Sequence, residues 1–174
     1  MGILIKIMGM ILVIAGSAGC GWYMANETKI RIRILQELQQ GIVILQGEME
    51  YAGDDMEEIL EGLSKKCQYF SGFFHGVSQK LYQKESRTLY DIWQEEVQRF
   101  SFRKKLKEED VLFLEEIGKN LGNLDRQTQL HTLKMMLQRL EKQIKDARAD
   151  YENRAKVYRV IGVTVGVFAT VLLL

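Results

Sequence analysis

Two histidines, His75 and His131, and two cysteines, Cys20 and Cys67, are the residues best suited to metal binding or nucleophilic chemistry in this 174-residue chain. A structural zinc site needs Cys or His ligands in close pairs. Neither histidine has a cysteine or acidic neighbour at that spacing, so both read as ordinary helix residues. Cys67 stands among Lys65, Lys66 and Gln68 with no hydrolase signature around it, and Cys20 lies inside an apolar stretch. A disulfide between such different environments is not expected, and free thiols suit a reducing cytoplasm. Nucleotide binding would require a GxxxxGK[ST] loop or a GxGxxG turn after a strand, and the chain has neither. Carboxylates cluster at Glu57, Glu58 and Glu61 and at Glu108, Glu109 and Asp110, where the first turn of a helix favours negative charge without any active site. No catalytic residue, cofactor or metal site is expected, and any energy the protein uses must come from a partner.

The elements that carry these residues are helices. Average usage of about 5% would give roughly nine prolines, and the chain has none. Ile30, Ile34, Leu35, Leu38, Ile42, Leu45 and Met49 recur at threes and fours, predicting an amphipathic helix from Thr28 to Tyr51. Gly53 breaks it, and Asp54 or Asp55 caps a second helix carrying Met56, Ile59, Leu60 and Leu63. Further helices are predicted near Phe73–Lys84, Thr88–Phe100 and Glu108–Leu121. Leu130, Leu133, Leu137, Leu140, Ile144, Ala147, Tyr151 and Tyr158 form a heptad seam after Asp125, so the last helix packs lengthwise on another. Periodicity does not say whether that partner is the first helix of the same chain or a second copy. Aromatics from Tyr69 to Phe102 concentrate in the middle, as the core of a small helical bundle would. With 24 basic against 23 acidic residues the net charge is +1, which argues against a nucleic-acid partner.

Both ends are apolar. Ile7 to Asn26 is uncharged over 20 residues, enough for the roughly 30 Å hydrocarbon core, and predicts an amino-terminal transmembrane anchor over residues 1–26, the alternatives being a cleaved signal peptide or a lipoprotein box at Gly16-Ser17-Ala18-Gly19-Cys20, where Ser17 replaces the usual leucine. Val160 to Leu174 is uncharged over 15 residues, short for a span, and predicts a carboxyl-terminal membrane segment over 159–174 helped by snorkelling of Lys156 and Arg159. Small residues at fourfold spacing, Ser17, Gly21 and Ala25 in the first and Gly162 and Gly166 in the second, allow close helix packing in lipid. Lys29, Arg31 and Arg33 follow the first segment and Arg148, Arg154, Lys156 and Arg159 precede the second. By the positive-inside rule the domain between, residues 27–158, is cytoplasmic.

The string Gly118-Lys119-Asn120-Leu121-Gly122-Asn123-Leu124-Asp125-Arg126-Gln127-Thr128-Gln129 has the form G-x-x-L-G-x-x-D-R-x-x-Q, and Leu45, Glu48, Met49 and Tyr51 have the form L-x-x-E-[IM]-x-Y. Together with the apolar ends and a central tryptophan, Trp93, this resembles the stage III sporulation protein AB family over the whole length. Asp54-Asp55 departs from the Thr-Pro that the family often places there, and either pair begins a helix.

The resemblance implies a transenvelope channel of spore formation in the mother-cell membrane around the forespore, likened to the inner-membrane platform of type II secretion and type IV pilus systems beside a secretion-type ATPase. On that reading the chain is an all-α, non-enzymatic scaffold. Glu48, Tyr51, Arg126 and Gln129 are the interface candidates, while Gly122 serves as helix stop and Asp125 as cap. The alternative is a membrane-linked coiled-coil sensor or regulator that homodimerises.

Overall fold

In the first helix, the residues spaced by threes and fours are the ones that disappear from solvent. α1 (residues 28–47) buries Ile34, Leu35, Leu38, Ile42 and Leu45, and the stripe continues to Met49 in a π-helical turn, Glu48–Ala52. The computed structural model describes residues 8–9, 28–52, 55–83, 87–123 and 125–173, with side chains described except at 52, 123, 154, 155, 158–163 and 165–173. Among the described residues there is no strand. The fold is all-α, as the patterning predicts.

α2 (Met56–Lys66) starts from Asp55, whose carbonyl accepts the Glu58 and Ile59 amides at 3.0 and 3.2 Å, although its side chain makes no capping bond. α3 (Ser71–Tyr82) packs back on α2, and Ser78 donates its hydroxyl to the Glu57 carbonyl at 2.9 Å. Its first turn is held from outside. Glu37 of α1 accepts the Tyr69 and Phe70 amides at 2.6 and 2.9 Å, placing a carboxylate where the helix dipole is positive. α4 (Leu89–Arg99) opens with a capping box, Thr88 accepting the Asp91 amide at 3.2 Å while Asp91 accepts the Thr88 amide at 3.1 Å. A short 3-10 turn, Arg103–Lys105, leads to α5 (Glu108–Asn123), and α6 runs from Arg126 to Leu173.

The chain divides into two units, one of residues 31–144 and one of residues 1–30 with 145–174. In the first, an aromatic core joins α3 to α4. Phe70 stacks on Phe100 with centroids 4.6 Å apart, and Phe73 meets Trp93 edge-on at 4.8 Å. Edge-on and offset pairs add about 0.5–1.5 kcal/mol each beyond the area they bury. Leu133, Met136, Leu140 and Ile144 of α6 are buried within the single chain, so the seam does not await a second copy. Met136 takes the covered position expected of Leu137, which is half-buried. In the second unit Ala147 is buried and the Lys29 ammonium lies 5.3 Å from the centre of the Tyr151 ring, within cation–π range.

Among the described residues no helix is long and apolar enough to cross a membrane. The expected amino-terminal span lies outside the described residues apart from Met8 and Gly9, and with it Ser17, Gly21 and Ala25. α6 continues through Gly162 and Gly166, whose surroundings also lie outside them.

Candidate functional site

The G-x-x-L-G-x-x-D-R-x-x-Q string builds the corner between α5 and α6. Gly118 sits under the Trp93 indole, so close that a Cβ there would lie 2.3 Å from Cδ1. The indole Nε1 donates to the Leu114 carbonyl at 2.8 Å, and Leu121 is buried one turn on. At Gly122 a Cβ would approach Tyr90 at 3.4 Å. Gly122 does not end the helix as expected. α5 continues to Asn123, and the Gly122 backbone is not in the left-handed region that a glycine stop adopts. Its small size serves the approach of α4.

Asp125 caps α6 as its position suggests. Its Oδ1 accepts the Gln127 and Thr128 amides, both at 3.1 Å, and its Oδ2 accepts the Thr128 hydroxyl at 2.6 Å. The Thr128 side-chain and amide bonds hold this carboxyl below the usual aspartate range.

Arg126, which is exposed, and Gln129, which is half-buried, are read from sequence as a docking surface, and both donate to backbone carbonyls. Arg126 Nη2 donates to the carbonyl of Met49 in the π-helical turn, and Gln129 Nε2 donates to the Leu121 carbonyl at 2.7 Å. Both acceptors are among the last carbonyls of a helix, which have no intrahelical partner. The two side chains therefore tie the start of α6 to the ends of α1 and α5. Glu48 lies 3.5 Å from Lys66 across α1 and α2. Tyr51 is turned to water at 85% exposure, and Arg126 is exposed as well.

Two polar clusters escape a sequence reading. Arg31, counted above among the bases beside the membrane, is 6% exposed and paired bidentately with Asp110 at 2.6 and 2.8 Å, with Glu109 at 3.0 Å. Asp110 is fully buried, and its Oδ2 also accepts the Lys107 amide at 2.9 Å, capping α5. On the α3–α4 face, Lys80 reaches Glu95 at 2.8 Å and Glu96 at 2.7 Å, and Arg87 and Arg99 reach Glu95 at 2.7 and 2.9 Å. Gly76 makes room for Glu96, because a Cβ there would lie 2.5 Å from Oε2.

Lys80, then Arg87, hold the Glu95 carboxyl down at about 2, from an ordinary value of 4.5. The folded state thus binds this proton later than the unfolded chain. The stability it contributes is complete above pH 4.5 and is lost as pH falls toward 2. Denaturant unfolding across that interval should show Glu95→Gln losing less stability with acid than the parent. Parallel acid profiles for the two proteins would show that the network is not formed in solution.

Cys67 is buried, and desolvation, with Glu37 nearby, pushes its thiol up to about 11, the opposite of an activated nucleophile. His75 Nδ1 is 2.9 Å from Glu61 on the surface. Among the described residues, no group of three or more His, Cys, Asp or Glu is placed to hold a metal ion.

Comparison with known proteins gives these positions a context. The stage III sporulation protein AB of Bacillus subtilis (strain 168) is 23% identical over 172 residues, covering 98% of this chain and 100% of that protein. A solved structure of a stage III sporulation protein AB aligns with a TM-score of 0.65 at 23% identity, covering 71% of this chain and 97% of that one, a likeness of fold. The family described as stage III sporulation protein AB matches residues 6–174. With a match that takes in both motifs and all but the first five residues, the chain belongs to the stage III sporulation protein AB family, a family of spore formation.

Proposed function

We propose that this protein is a non-enzymatic, membrane-anchored scaffold of a secretion-like sporulation channel, its helical domain facing the mother-cell cytoplasm to receive a partner ATPase and other channel subunits. The observation that carries this reading is the family match over residues 6–174, which includes both apolar ends. The uncharged run Ile7–Asn26 and the basic residues flanking both segments support the anchor and its orientation. Burial of the α6 seam within one chain favours the scaffold over a homodimerising sensor.

Tyr51 is the residue assigned to the docking surface. A large aromatic in water at the end of a helix is the type that becomes a binding hot spot when a partner covers it. Deletion of the gene in its host should abolish heat-resistant spores, and the intact gene should restore them. Tyr51→Ala should fail to restore them by at least tenfold while the protein accumulates normally. Arg126→Ala should instead cost about 1 kcal/mol of stability through the freed Met49 carbonyl, and lower spore counts only as far as protein abundance falls. A deletion strain that sporulates normally would remove the proposal. Full rescue by Tyr51→Ala would remove this residue from the docking surface.

A further inference from the structure

α2 and α3 form an antiparallel hairpin, in which Ser78 lies opposite Glu57 and His75 opposite Glu61, each pair in contact at 2.9 Å. Its two ends differ in charge. At the open end Asp55, Glu57 and Glu58 make no ion pair among the described residues, and Tyr82 stands beside them at 47% exposure. Partial desolvation, then Glu58, Glu57, Glu61 and Asp55, push the Tyr82 hydroxyl above its ordinary value, so it remains a hydrogen-bond donor. At the closed end Tyr69 meets Phe102 edge-on at 5.1 Å, which pins the 3-10 turn Arg103–Lys105 there. Arg103 and Lys104 are exposed, and among the described residues neither forms an ion pair. Beside them is a cleft of about 320 Å³ walled by Leu106, Val111 and the exposed Leu112, with Glu108 and Glu115 also in its lining.

About 17 Å of helix separates the two ends, too far for one to satisfy the other within a chain. Each end supplies what the other lacks. The open end offers unpaired carboxylates around a protruding aromatic ring with a donor at its tip. The closed end offers unpaired bases beside an apolar cleft with carboxylate acceptors in its wall. We infer that copies of this chain associate head to tail, Tyr82 of one copy entering the cleft beside Leu112 of the next, while Arg103 and Lys104 of that next copy meet Asp55, Glu57 and Glu58. In the cleft the Tyr82 hydroxyl donates to Glu108 or Glu115, so the two carboxylates there receive a donor and not a further charge. A contact between two different surfaces leaves one of each free, so it continues into a ring or an open chain and does not stop at a dimer. The α6 seam stays buried within each copy, and the contact requires neither an anchor nor another subunit.

The test is cross-linking of the full chain in detergent, with Cys20 replaced by alanine and buried Cys67 left in place. Asp55→Cys and Lys104→Cys, both at exposed positions, are combined in one chain, and a bismaleimide shorter than the hairpin joins them only between copies. This chain should give a ladder of dimers, trimers and longer products. A mixture of the two single-cysteine chains should stop at dimers, and either alone should give none. High salt should shrink the ladder, and Glu58→Lys or Arg103→Glu should each lower it about tenfold. The two reversals together should restore it, which a misfolded chain would not do. Dimers from a single-cysteine chain by itself would reveal a symmetric contact and overturn the head-to-tail arrangement. A chain that keeps the parent's melting curve but gives no ladder, or a ladder indifferent to both reversals, overturns the association and leaves both ends to other proteins.

Discussion

Gly118→Ala should lower the stability of the helical domain by about 3 kcal/mol, and the bulkier Gly118→Val by more, because an added Cβ falls within the Trp93 side chain. A Cβ 2.3 Å from Cδ1 is far inside van der Waals contact, so one of the two helices must move. The indole has little freedom to give way. It is 1% exposed, its Nε1 is bonded to the Leu114 carbonyl at 2.8 Å, and Phe73 meets its face edge-on. Separation of α4 from α5 is the remaining adjustment, and that opens the core between them. For a unit of this size the loss corresponds to a fall in melting temperature of roughly 12 °C, read by circular dichroism on the full chain in detergent. A variant that melts within a few degrees of the parent would show that α4 and α5 do not approach as described.

Asp110→Ala should cost about 3–5 kcal/mol, since it leaves the Arg31 guanidinium buried with no carboxylate in bidentate contact. Replacing both partners, Arg31→Met with Asp110→Leu, should recover most of that loss, because an apolar pair of similar volume needs no compensating charge. Asp110→Asn separates the two contributions of the carboxylate. It keeps an acceptor for the Lys107 amide while removing the charge that faces Arg31. The double-mutant cycle from denaturant unfolding is the measurement. If the single and double replacements cost the same, Arg31 is solvated and the clamp is not a buried one.

The elements were legible in the sequence and their tertiary pairings were not. The α1 stripe from Ile34 to Met49 follows from spacing alone, since burial on one helix face imposes its period directly on the residue types. The same holds for the α6 seam, except that Met136 is covered in place of Leu137, a shift of one residue around the helix that a heptad count does not resolve. Arg31 shows the limit. Its charge suggests a membrane-facing base, and only the approach of Asp110, 79 residues away, makes it a buried clamp. Arg126 and Gln129 invite the reading of polar surface residues, and Arg126 is exposed, but that reading misses the backbone bonds that both make. The signal that could have redirected it is the rule that helix ends leave carbonyls in need of donors, applied to the ends of α1 and α5. Gly122 stands in the recognised string as punctuation, yet it and Gly118 are both places where α4 comes close to α5. Tyr51, singled out by the resemblance, stays at the surface.

The clamp between Arg31 and Asp110 also carries an order of events. The partners are 79 residues apart, so when Arg31 leaves the ribosome its carboxylate has not been made. At 5–20 residues per second the wait is roughly 4–16 s. During that interval α1 presents Ile34, Leu35 and Leu38 with no α5 beside Arg31. Closure of the domain therefore waits on translation reaching the start of α5.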